Sequence, residues 1–192
     1  RAARPPGGED GRWQRQAVDE AEAVRAFRQL ADDLGHLGAP RELIRRADAA
    51  ALEEHVHARR CADLAGVAVP EIPPCPRRRR ASRRRDLFDL AIASWRDGAV
   101  NEGAEVARLR ALAAASSDPR EAAAAREIAD EEAGHAELAW DTIAWCRAEG
   151  GPGIDLVLLT VARSLRLPPG PGDGDEVRRQ VLADARRRLW ST

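Results

Sequence analysis

Four stretches of this chain place core-type residues at alternating three- and four-residue steps, the signature of helices that bury one face. The first runs through Trp13, Ala17, Glu20, Val24, Phe27, Ala31 and Leu34, the second through Leu43, Ala47, Ala50, Glu54, His57, Cys61 and Leu64. The third takes in Phe88, Ile92, Trp95, Ala99, Glu102, Val106, Leu109 and Ala113, the fourth Ala125, Ile128, Glu132, His135, Ala139, Thr142 and Cys146. Each stripe is apolar or small except near its middle, where a Glu or a Glu-x-x-His pair interrupts it. No stretch alternates with the period of two that a strand requires. The expected fold class is all-α.

Punctuation divides the chain. Residues 1–12, "RAARPPGGEDGR", read as a flexible lead-in. The first helix is expected from about Trp13 to Leu34, ending at "GHLGAP"; the second opens at Pro40, a natural first-turn residue, and ends at Gly66. Prolines exclude regular helix from "VAVPEIPPCPRRRRAS". The third helix spans about Arg84 to Ser116. "DPRE" at 118–121 then starts the fourth, with Asp118 as cap, Pro119 in the first turn and Glu121 closing a capping box. That helix lasts to Glu149. Two shorter helical stretches follow, near 154–165 and 175–190. Two short links and one long one predict a four-helix bundle over residues 13–149, made of two helical hairpins joined by a long crossover. Residues 150–192 are expected to pack on it as a helical extension.

The two hairpins carry polar residues in the same order. Glu20 precedes Glu54-x-x-His57, Glu102 precedes Glu132-x-x-His135, and the second Glu-Glu-x-x-His repeats the first 78 residues on. Residues three apart on a helix share a face, here the one that otherwise carries the core. Four carboxylates and two imidazoles gathered in an apolar interior demand compensating positive charge. Two divalent cations would supply it, and carboxylate-rich sites with one imidazole per metal suit iron or manganese better than the thiolate-rich structural sites of zinc. The competing reading is a metal-free bundle whose Glu and His side chains face water.

At these residues the chain resembles the ferritin-like di-iron carboxylate proteins, in which two helices give a Glu each and two others give Glu-x-x-His. The resemblance covers roughly residues 13–149. Its stretches "WQRQAVDEAEAVRAF", "EEHVHARRCADLAG", "SWRDGAVNEGAEVA" and "IADEEAGHAELAWDTIAW" are similar to bacterial ferritin-like domain proteins. It implies Glu20 and Glu102 as terminal ligands, Glu54 and Glu132 as bridges, and His57 and His135 one to each metal. Ala21 and Glu22 depart from the family's frequent His and small residue, and Gly134 from its usual Arg. The implied cofactor is two iron ions, with manganese possible. The implied activity is oxidoreductase-type, acting on dioxygen or peroxide with an electron donor that the residues do not identify. Ferroxidase-type iron handling, a tRNA-hydroxylase-like enzyme and a metal-stabilised structural or binding bundle are the alternatives.

Other residues carry subsidiary expectations. Glu53 and Glu131 precede the bridging glutamates and either orient the opposite histidines from the layer behind the ligands or are ordinary exposed helix carboxylates. Gly98 and Gly103 bracket Glu102; they serve close packing, a helix distortion or room for dioxygen, with packing preferred. Trp95 reads as core, as do Cys61 and Cys146. His36 and His55 are expected to be solvated.

Composition narrows the classes further. Thirty-one basic residues, all arginine, oppose 32 acidic ones for a formal charge of −1, so no global field draws nucleic acid or membrane. No apolar run approaches the length of a membrane span. Absence of Tyr excludes a tyrosyl radical, and three scattered cysteines exclude both a disulfide framework and an electron-transfer module held by four thiolates. A cytoplasmic setting is expected; the missing Met leaves export after loss of a leader as the alternative. The seven arginines of "PRRRRASRRR" (Arg77 to Arg85) could track phosphates, although no aromatic is interleaved to stack a base, so nucleic acid is a minor expectation.

Overall fold

The computed structural model describes residues 10–75, 80–165 and 173–190; the rest of the lead-in and part of the arginine run (76–79) lie outside the described residues. All regular structure among these residues is helical, with no strand. They divide into two compact units, one drawn from Arg1–His36 and Pro40–Arg78, the other from Leu37–Ala39 and Arg79–Thr192.

The first unit holds α1 (Asp10–Leu37) and α2 (Arg41–Ala65). Every expected core position on α1 is buried, as is every one on α2 except Leu64, which is half-buried. The end of α1 differs from expectation: the helix runs through Gly35 and His36, because the punctuation acts only at Gly38, whose φ of 76° no helix tolerates. Leu37, buried, belongs to that extra turn. Pro40 then enters α2 with its φ already fixed. Gly66 closes α2 at φ 67° while the Val67 N–H reaches back to the Ala62 carbonyl at 3.0 Å, a Schellman-type stop.

The second unit is built on one long helix of changing pitch and its partners. Ser82 caps α3 (Arg83–Ala93), which passes without a break into a π-helical segment (Ser94–Glu102) and on into α4 (Gly103–Ala115). α5 (Pro119–Gly150) packs along all three, and α6 (Pro152–Ser164) and α7 (Asp173–Trp190) complete the unit.

The π segment explains why the stripe expected on the third helix is only partly right. Buried positions are Leu87, Leu90, Ala91, Ser94, Trp95, Ala99 and Val100, whereas Phe88, Ile92 and Glu102 are half-buried. Bonding from i to i+5 widens each turn by about one residue, so a register carried at α-helical pitch slips. At that pitch the seven residues from Trp95 to Glu102 return to within about 20° of one face. In the wider helix they fall short of two turns, and the two side chains part.

Gly98 lies mid-segment. A Cβ there would stand 2.3 Å from the Ala139 Cβ, so the glycine lets the widened helix meet α5 almost backbone to side chain. Close packing and helix distortion thus coincide at this residue.

The cap of α5 is a second correction. Asp118 accepts from the Arg120 N–H at 2.8 Å and Pro119 sits in the first turn, as expected. Glu121, however, accepts from the Ser116 hydroxyl, whose oxygen takes the Asp118 N–H at 3.2 Å. Ser116 stands between the two partners of the expected capping box and serves both.

Arginines fasten the C-terminal helices. Arg188 binds both oxygens of Glu137 at 2.9 and 3.1 Å and lies 4.4 Å over the Trp140 ring, tying α7 to α5. Arg186 donates to the Ala162 and Leu165 carbonyls at the end of α6, at 2.8 and 2.9 Å, where helix ends leave acceptors exposed. Arg178 reaches Asn101 in the π segment at 3.1 Å.

Candidate metal centre

In the first unit, α1 and α2 each turn a polar side chain inward at mid-length. Glu20 is 4% exposed, and Glu54 and His57 are fully buried. Their donor atoms lie within 4.8 Å of one another, with His57 Nδ1 3.4 Å from Glu54 Oε2. The short link through Gly38 makes this possible by folding α2 back so that the two helix centres come level. On α2 the three-residue spacing then stacks Glu54 and His57 on the inward face.

Gln16, also buried, donates its side-chain amide to Glu20 Oε1 from one turn earlier. The reading of the sequence missed it. The signal was available, since Gln16 precedes Glu20 by four residues and flanks the stripe positions Trp13 and Ala17.

The second unit repeats the Glu–His relationship on α5. Glu132 and His135 are 1% and 3% exposed, and His135 Nδ1 lies 3.0 Å from Glu132 Oε2. In both helices the same ring nitrogen faces the same carboxylate oxygen one turn back. Glu102, the last residue of the π segment, is half-buried. Glu53 and Glu131 are half-buried as well.

Three buried groups of the first unit, Glu20, Glu54 and His57, are close enough together to be compatible with metal binding. Their chemistry fits a divalent ion of intermediate hardness: two carboxylates and an imidazole, with no thiolate. Such groups are expensive to bury without a cation.

The remaining titratable residues divide clearly. Cys61 and Cys146 are fully buried, and burial chiefly, with Glu149 adding to it, pushes the Cys146 thiol up to about 12. That suits a small core residue and not a ligand, which must lose its proton. His36 is exposed, as expected. His55 is instead half-buried, and its Nδ1 has no hydrogen-bond partner among the described residues. Of the arginine run, Arg83 pairs with Glu149 at 2.6 Å, Arg85 bonds Asp89 at 3.0 Å, and Arg84 stacks 5.3 Å from the Phe88 centroid. No helix among the described residues is long and apolar enough to cross a membrane.

Compared with known protein families, curated proteins and solved structures, the chain matches none. Its reading therefore rests on its own residues.

Proposed function

We propose that the chain is a ferritin-like four-helix bundle holding a dinuclear metal centre, two iron ions with manganese as the alternative, and that it works as an oxidoreductase on dioxygen or peroxide. In this reading α1, α2, the α3–π–α4 helix and α5 supply the ligands to the metals. Glu20, Glu54, His57, Glu102, Glu132 and His135 are the ligands, with Glu53 and Glu131 orienting imidazoles from behind.

The observation that carries the proposal is the burial of Glu20, Glu54 and His57 together in the first unit, as oxygen and nitrogen donors in a helical interior. The repeated geometry of the two Glu-x-x-His pairs supports it, at 3.4 and 3.0 Å from Nδ1 to Oε2. A reduced pair of iron ions bound there would supply two electrons at open coordination positions. The chain's own residues do the rest. The carboxylates hold negative charge against the metals, the imidazoles direct Nδ1 inward, and the surrounding alanines and large apolar side chains exclude water.

Anaerobic addition of ferrous iron to the metal-free chain, followed by removal of excess, tests the reading. About two irons should remain per chain, and Glu54→Ala should lose them. Oxygen consumed with ferrous iron as sole reductant assigns iron oxidation; turnover requiring an organic reductant or substrate assigns the enzyme. A chain retaining no iron would end the proposal.

A further inference from the structure

Gln16 is an unusual partner for a glutamate in this chain. The exposed or part-buried carboxylates of Glu22, Glu42, Glu105 and Glu176 each take an arginine three residues later. Along α1, Glu20 has no arginine at the corresponding position. Ala23 and Val24 occupy the positions three and four residues beyond it, and the donor one turn earlier is the neutral amide of Gln16. Both residues are buried, Gln16 at 8% and Glu20 at 4% exposure. An arginine at position 16 would satisfy the carboxylate with opposite charge and compete with a cation for it. An amide gives an N–H while adding no charge of its own.

We propose that Gln16 is a positioning residue for the metal centre, holding Glu20 Oε1 so that the carboxylate meets the metal through its other oxygen alone. The inference rests on the metal-centre reading and assigns a ligand mode within it. An oxygen that already accepts an amide hydrogen bond is turned along that bond and is a poorer metal donor. Glu20 would then offer Oε2 to a bound metal as a single donor, where a chelating carboxylate would offer two.

Cobalt(II) added to the full chain tests this, since its visible absorption reports coordination number. Gln16→Met keeps side-chain length and removes the donor; Gln16→Leu is the second variant should the first not fold. The expected result is about 10- to 100-fold weaker cobalt affinity. The visible bands should also lose intensity as Glu20 begins to chelate, with circular dichroism showing the metal-free variant still folded. If cobalt binds the variant with unchanged affinity and spectrum, Gln16 merely fills space, and the inference fails while the metal reading stands. If the unaltered chain takes up no cobalt, both fail.

Discussion

Gly98 and Ala139 meet so closely that a methyl group on the glycine would stand 2.3 Å from the alanine Cβ. The contact fixes the distance between the π segment and α5, the helix that carries Glu132 and His135. Gly98→Ala should therefore destabilise the chain by about 1–3 kcal/mol, the usual cost of overpacking. Gly134 is the control. It lies in α5 with nothing within 4 Å of a built Cβ, so Gly134→Ala should stabilise by about 1 kcal/mol. Urea midpoints of the two variants measure both, and equal midpoints would deny the contrast.

Bound metal should raise the melting temperature by mass action. At a hundred times its dissociation constant a ligand adds about 2.7 kcal/mol. Scanning calorimetry with and without manganese(II) should show the rise in the parent chain and none in Glu54→Ala. A chelator should reverse it. In the metal-free state Glu54→Ala removes a buried carboxylate, so that variant should be no less stable than the metal-free parent.

Trp95 is fully buried, and its indole N–H has no acceptor among the described residues. Trp95→Phe removes that unsatisfied donor along with some apolar surface. It should cost well under the roughly 3–5 kcal/mol expected of Trp95→Ala. Comparison of the two by denaturant unfolding checks whether the indole serves packing alone.

The Cys146 thiol gives a pH signature. Its pKa rises from 9.0 to about 12 on folding, so above pH 9 the unfolded chain loses this proton while the folded chain keeps it. The unfolded state then binds fewer protons, and stability falls as pH rises between 9 and about 12. Below pH 9 the group has no effect. Cys146→Ala should show a shallower decline over that window when urea midpoints are followed from pH 8 to 11. Parallel curves would refute the assignment.

Much of this was legible in the sequence because it depends on spacing along single helices. The stripes of α1, α2 and α5 include their buried Glu and His residues, since three- and four-residue steps determine which side chains share a face. Register failed where the helix itself changed pitch: nothing in "SWRDGAVNE" announces i-to-i+5 bonding except Gly98, whose meaning depends on Ala139 across the contact. The same holds for the α5 cap, where Ser116 stands in the bond that Glu121 would make to the Asp118 N–H, and the Asp118 side chain takes the Arg120 N–H. Gln16 was hidden differently. An amide four residues from a glutamate is commonplace on a solvated face and notable only once both are known to be buried.

Glu102 has a neighbour on each side that touches α7. Asn101 accepts from Arg178 at 3.1 Å, and a Cβ on Gly103 would lie 3.1 Å from Val181 Cγ1. Glu102 therefore closes the π segment between two residues that lie against α7. Any change in how α7 seats on this helix would bear on the junction where the widened coil gives way to ordinary pitch.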